Sequence, residues 1–212
     1  MPKLKQSRTG VQLGEPVVRA MVMTAAARLF AERGFRAVSV EDLLTAANVS
    51  RRTFYKVFDG KDAVALALYR YGTDALLDAS RKALSQDVDQ VTRTLACVDL
   101  HLANAARMGR LIYVLGGEAS NQESPLFAVR MSVHERLVEI LRASRDPRTD
   151  PLFTRTLVLA IEAVVRCVLT EGDEGRKVTP EAIARARRVL ARVVTGAVLG
   201  EGPSVTALPT VE

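Results

Sequence analysis

The sequence predicts an all-α fold, with an N-terminal three-helix unit containing a helix-turn-helix and a larger helical bundle behind it. Three observations predict it. Apolar residues recur at spacings of three and four along most of the chain, and no stretch alternates with a period of two. Residues that start and stop helices punctuate that pattern. The surplus positive charge is confined to one end: residues 1–61 hold eleven Lys and Arg against five Asp and Glu, and residues 62–212 hold nineteen of each. Such asymmetry points to a polyanionic partner for the first third alone. A solvated basic surface is the alternative that charge by itself leaves open.

The chain has 212 residues and is 48% hydrophobic, so it can bury a sizeable core. No apolar run approaches the roughly 18 residues of a membrane-spanning helix. The start, Met1-Pro2-Lys3-Leu4-Lys5, is basic without a following apolar stretch, unlike a signal peptide. A cytoplasmic location is therefore expected. Cys97 and Cys167 both fall in apolar helical stretches and read as small buried hydrophobes rather than a disulfide.

Residues 1–15 read as a basic flexible arm, with Gly10, Gly14 and no periodicity. Pro16 can open a helix, because the first helical position needs no N–H. Val18, Met21, Val22, Ala25, Ala26, Leu29 and Phe30 then mark an amphipathic helix over about 16–33, with Gly34 placed to end it and Phe35 to fold back onto its last turn. Ser39 and Asp42 have the spacing of a capping box for a second helix. Asn48 suits the left-handed conformation of a tight turn. Ser50 can cap a third helix from Arg51 to Val57, and Asp59-Gly60 breaks the chain before a long helix over about 61–85.

Apolar stripes continue through Val91, Leu95, Val98, Leu102 and Ala105, and a short piece, Leu111 to Leu115, is expected to end at Gly116-Gly117. Another stripe runs through Phe127, Met131, His134, Val138 and Leu141 to Arg145-Asp146-Pro147. Residues 152–169 are apolar almost all round, so that helix must be covered on every side. Thr179-Pro180 starts a last helix, and the segment after Gly200 reads as a disordered tail. The expected organisation is an arm at 1–15, a helix-turn-helix domain at 16–62, a larger helical domain at 63–200, and a tail at 201–212.

A helix that reads duplex DNA must be short and well anchored. Its outer face must offer donors to base edges, with cations nearby for phosphates. Residues 50–61 fit. At 100° per residue Phe54 and Phe58 fall on one side, Arg52 and Lys56 on the opposite side, and Thr53 and Tyr55 on the flanks. Arg51 lies in the first turn, the part that enters the groove.

Residues 18–65 resemble the DNA-binding domain of the TetR family of bacterial regulators. The resemblance runs through Ala26-Arg28-Leu29-Phe30-Ala31-Glu32-Arg33-Gly34-Phe35, Ser39-Val40-Glu41-Asp42-Leu43, Ala47-Asn48-Val49-Ser50, Thr53-Phe54-Tyr55-Lys56-Val57-Phe58 and Lys61. It departs from the family at Asn48, where Gly is usual, and at Arg52, where a small residue is usual. The resemblance implies that Arg51, Arg52, Thr53 and Tyr55 contact bases, and that Ser39, Lys56 and Lys61 contact phosphates. Lys61 also opens the next helix, whose N-terminal amides can take a phosphate. Lys3, Lys5 and Arg8 either reach DNA or stay solvated.

The resemblance further implies a homodimer with a ligand pocket in the larger domain and a near-palindromic operator. The helices at 152–169 and 180–199 could pair with their symmetry mates in a four-helix interface, through Phe153, Leu157, Ile161, Val164, Val168, Leu190, Val193 and Ala197. The alternative, that both are core helices of a monomer, is disfavoured by how little polar surface the 152–169 helix offers. Candidate pocket residues are Cys97, His101, Met108, Tyr113, Phe127, Met131 and His134, and each also fits plain core packing. Cys97 and His101 are four apart, yet two ligands without a third do not make a metal site, so no metal and no cofactor is expected.

The expected function is a transcriptional regulator, a repressor released from its operator by a small molecule. An architectural DNA-coating protein is the alternative; the balanced charge of residues 62–212 argues against coating. A helical enzyme is the other class. No phosphate loop, nucleophile elbow or zinc spacing supports it.

Overall fold

The computed structural model describes residues 14–143 and 151–199, without the side chains of 197–199. The arm with Lys3, Lys5 and Arg8, the break at Arg145-Asp146-Pro147, the tail at 201–212 and the side chain of Ala197 lie outside the described residues. Eight helices and no strand occur among them: α1 (Glu15–Arg33), α2 (Val40–Ala47), α3 (Arg51–Phe54), α4 (Lys61–Leu84), α5 (Gln90–Glu118), α6 (Pro125–Ala143), α7 (Pro151–Glu171) and α8 (Pro180–Leu199). No described helix is long and apolar enough to cross a membrane.

Local chemistry explains the boundaries. Gly34 adopts φ 85 after α1 and its N–H donates to the Phe30 carbonyl at 2.9 Å. Phe35 then folds back, its ring 5.4 Å from that of Phe30 in an edge-to-face contact. Ser39 and Asp42 form the full capping box of α2. Asn48 ends α2 with φ 52 and ψ 48, the left-handed geometry its short amide side chain tolerates. Ser50 caps α3, Asp89 caps α5 through Thr92, and Thr179 accepts from the Ala182 N–H at the start of α8.

Two boundaries differ from expectation. Regular α-helix ends at Phe54 rather than Val57. Beyond it the Val57 N–H reaches only three residues back, to the Phe54 carbonyl at 2.9 Å, so the last turn tightens before Phe58 inserts into the core. The second difference is that α5 runs 29 residues, straight through Gly116-Gly117. Glycine costs a helix about 1 kcal/mol each, and here burial of Leu115 and Ala119 on the same turns offsets it.

Three apolar clusters hold the molecule. The first joins Val22, Leu29 and Phe30 of α1 to Leu43, Phe54, Phe58 and Val64, and also to Leu115 and Ala119 of α5 and Leu126 of α6. The small N-terminal unit therefore does not close on itself; the bundle supplies part of its core. The second cluster packs Leu77 and Leu84 of α4 against Cys97, Val133, Leu137, Leu141 and Val158. The third packs Val98 and Leu102 of α5 against Leu157, Ile161 and Val168 of α7 and Ala186, Leu190 and Val194 of α8.

Candidate nucleic-acid interface

Phe54 is the anchor of the helix-turn-helix. It is fully buried, edge-on to Tyr55 at 5.3 Å and 6.0 Å from the Phe58 ring. Arg19 of α1 clasps the end of this turn, donating to the Val57 carbonyl at 3.1 Å with its guanidinium 4.4 Å from the Phe58 ring centroid. With its apolar side so fixed, α3 turns Arg51, Arg52, Tyr55 and Lys56 to solvent. These four side chains form one exposed face of two guanidinium forks, a phenol and an ammonium. Such a set can donate to base edges and phosphates.

The other sequence candidates are engaged inside the protein. Thr53 is half-buried, and its hydroxyl is 2.7 Å from that of Ser50. Ser39 Oγ donates to Asp42 Oδ2 at 2.5 Å and accepts from the Asp42 N–H at 3.2 Å. In this geometry its proton serves the cap. That cap also holds the Asp42 carboxyl below its ordinary value, first through the Ser39 hydroxyl and then through the Ser39 N–H. Lys61 is half-buried. Its ammonium donates to the Phe35 carbonyl at 3.0 Å and lies 4.5 Å from the Phe35 ring centroid, tying α4 to the α1–α2 turn. Sequence reasoning missed Arg19 and Glu41. Glu41 pairs with Arg51 across the α2–α3 corner, and both side chains stay largely exposed. No local spacing signals either contact, because each depends on how the helices cross.

The pocket candidates scatter. Cys97 belongs to the second apolar cluster, where burial pushes its thiol up. Met108 faces solvent, and Tyr113 lies 5.5 Å from the Arg110 guanidinium. Phe127 and Met131 are half-buried on α6. His101 and His134 do converge, on a residue the sequence did not single out. Glu162 of α7 accepts from His134 Nε2 at 2.9 Å and from Arg130 Nε and Nη2 at 2.9 Å each. Burial alone would raise the Glu162 carboxyl, but the His134 and Arg130 hydrogen bonds outweigh it and hold it at about 2. Its charge in turn offsets part of the burial that pushes His101 down to about 4, and adds to the burial that pushes Tyr69 up to about 12. Arg130, His134 and Glu162 thus form one hydrogen-bonded polar group between α6 and α7, with Tyr69 of α4 and His101 of α5 within its electrostatic reach. Glu162 escaped notice because it is one charge in an apolar run.

The expected pairing face is also redistributed. Leu157, Ile161, Val168 and Leu190 are at most 3% exposed, because they face α5 and each other within one protomer. They leave no surface for a partner. Phe153 is half-buried, and Val164 is half-buried against the third cluster. The large solvent-facing apolar side chains on these helices are Leu152 and Leu159 of α7 and Val189 and Val193 of α8; Cys167 of α7, expected to be buried, is exposed as well. Among the described members of the expected set, Val193 is the one that stands exposed.

Residues 22–68 match the family of bacterial regulatory proteins of the tetR type. The HTH-type transcriptional activator FasR of Mycolicibacterium smegmatis is 29% identical over 93 residues, covering 44% of this chain and 42% of that protein. The HTH-type transcriptional repressor KstR2 of Rhodococcus jostii is 34% identical over 71 residues, covering 34% of this chain and 35% of that protein. The matches therefore span less than half the length of either relative. A TetR-like transcriptional regulator from Rhodococcus sp. RHA1 has the same fold, with a TM-score of 0.68 at 19% identity over 89% of this chain and 100% of that one.

Proposed function

We propose that the whole protein is a sequence-specific transcriptional regulator, a reading supported by the match of residues 22–68 to the tetR family of bacterial regulatory proteins. It binds a near-palindromic operator as a cytoplasmic homodimer and acts as a repressor, released when a small molecule enters the bundle. The observation that carries the reading is the exposed face of Arg51, Arg52, Tyr55 and Lys56, set on a turn whose opposite side is anchored by Phe54 and Phe58. One such turn spans only a few base pairs, too few to single out a genomic site. Two copies about 34–36 Å apart would read successive major grooves.

The dimer is assigned to the exposed apolar residues of α7 and α8, namely Leu152, Leu159, Val189 and Val193, with Val164 at their edge. The effector is assigned to the bundle around Glu162. The half-buried Arg130–Glu162–His134 group places charged hydrogen-bonding side chains between the apolar helices α6 and α7, the kind of polar anchor that orients a ligand in an otherwise apolar site. The reading requires no catalysis and no cofactor. Binding of the full-length chain to duplexes selected from a randomised pool tests it. Arg52→Ala should cost about 1–3 kcal/mol on the selected duplex and relax one base position. Equal binding of selected and random duplex would refute it.

A further inference from the structure

The loop between α7 and α8 is held in an unusual shape. Asp173, Glu174 and Gly175 have φ of 54, 55 and 85, three successive left-handed residues of which two carry a Cβ. A chain keeps such a conformation only where its surroundings impose it. Here α5 imposes it. A Cβ on Gly175 would lie 2.5 Å from the Gly109 carbonyl carbon, and a Cβ on Gly109 would collide with the Gly175 carbonyl oxygen. Backbone therefore rests directly on backbone, with no side chain between to cushion a shift.

Arg110, the next residue on α5, extends this contact to the DNA-binding unit. Its side chain is 16% exposed. Nη1 donates to Glu174 Oε2 at 2.5 Å and to the Glu174 carbonyl at 3.4 Å. Nε donates to the Ala31 carbonyl at 3.3 Å. Ala31 lies in the last turn of α1, whose terminal carbonyls have no partner within the helix. A single planar guanidinium thus joins the last turn of α1 to the hairpin between α7 and α8. Its fork is rigid, so the two bonds cannot both survive a relative rotation of those elements.

We propose that Arg110 and Glu174 are positioning residues that tie the tilt of the DNA-binding unit to the α7–α8 helices, and so fix which half-site spacing the protein accepts. The inference rests on the reading of the chain as a dimer that spans two half-sites. The α7–α8 pair carries the proposed dimer face, so it is the part of each protomer whose placement the two-fold axis dictates. Arg110 passes that placement to α1, against which α2 and α3 pack.

The test uses the full-length chain and duplexes that the wild type selects from a randomised pool. Variants of the best duplex carry the half-sites moved by one or two base pairs, and one duplex keeps a single half-site. A two-base-pair shift turns a half-site about 70° around the helix axis. Wild type should bind the shifted duplexes at least about 10-fold more weakly, within the usual range of coupling between sites. Arg110→Gln and Glu174→Gln should compress that difference to about 3-fold or less, while single half-site binding stays within about 2-fold of wild type. A purely structural role would weaken all duplexes in proportion and leave the spacing profile intact, and that result overturns the proposal. Should Arg110→Gln fail to fold, Glu174→Gln, on a half-exposed loop residue, decides alone. A wild type indifferent to spacing would overturn the dimeric reading itself, and this inference with it.

Discussion

Leu126 offers the sharpest test of how the two parts of the chain are joined. It sits in the first turn of α6, well outside the helix-turn-helix, yet it is fully buried in the apolar cluster built around Phe30, Leu43 and Phe54. Leu126→Ala removes the isopropyl group and leaves a cavity. Such truncations cost about 2–5 kcal/mol, and the larger values belong to sites that cannot collapse. Leu126 is enclosed in a core that draws on α1 to α6, so relaxation is restricted and about 3–4 kcal/mol is expected. For a chain of this length each kcal/mol moves the midpoint about 2–4 °C, which gives a fall of about 6–16 °C. Differential scanning calorimetry should show that fall in one cooperative transition, and DNA binding should be lost over the same range. A separate low-temperature transition for the DNA-binding unit, or a drop below about 2 °C, would refute the shared core. So would a fragment of residues 14–84 that folds and binds DNA alone, since it lacks Leu115, Ala119 and Leu126.

Other outcomes follow from the same geometry. Ser39→Ala should lower stability by about 1 kcal/mol through loss of the α2 cap, with the salt dependence of DNA binding unchanged; a shallower salt slope would show that Ser39 contacts phosphate after all. Val193→Asp should give a folded monomer by sedimentation, whereas Leu190→Asp, at a fully buried site, should unfold the chain. A Val193→Asp protein that stays dimeric would move the interface elsewhere. Acid should destabilise the bundle in two windows. His101 has a folded value of about 4 against an ordinary 6.5, so the unfolded chain takes the proton first. Its contribution is complete above pH 6.5 and fades as pH falls toward 4, worth about 2–3 kcal/mol at most because the residue is not fully buried. Glu162, at about 2 against 4.5, adds a further loss as pH falls from 4.5 toward 2. His101→Gln should flatten the thermal midpoint between pH 6.5 and 4, and an unchanged slope there would contradict the assignment.

Much of the N-terminal unit was legible because its signals are local. A cap and its acceptor lie three residues apart at Ser39 and Asp42. A left-handed turn residue stands at Asn48, and Gly34 precedes a Phe that folds back. The exposure of Arg51, Arg52, Tyr55 and Lys56 was legible for the same reason, since one helical turn separates Phe54 from Phe58 on the buried side. What was missed depends on how helices cross. Lys61 and Thr53 looked like free polar groups until the Phe35 carbonyl and the Ser50 hydroxyl were found beside them. Residues 152–169 read as apolar on every side. The pattern could not say that α5 and α8 of the same protomer cover Leu157 and Ile161 while Leu152 and Leu159 are left outside. Gly116-Gly117 read as a stop because propensity is local, whereas the burial that carries α5 through them is not. Likewise, nothing in the spacing of His101, Arg130, His134 and Glu162 announces that three helices bring them together.

The central claim is that two copies of the Arg51–Lys56 face read one operator. Selection of duplexes from a randomised pool by the full-length chain, followed by binding at several salt concentrations, tests it most directly. The account predicts an enriched motif of two inverted half-sites centred one helical turn apart, bound at least about 10³-fold more tightly than random duplex. The preference should collapse in an Arg51→Ala, Arg52→Ala double variant that keeps the wild-type melting midpoint. An enriched motif with a single half-site, no enriched motif at all, or a preference that survives the double variant would contradict it.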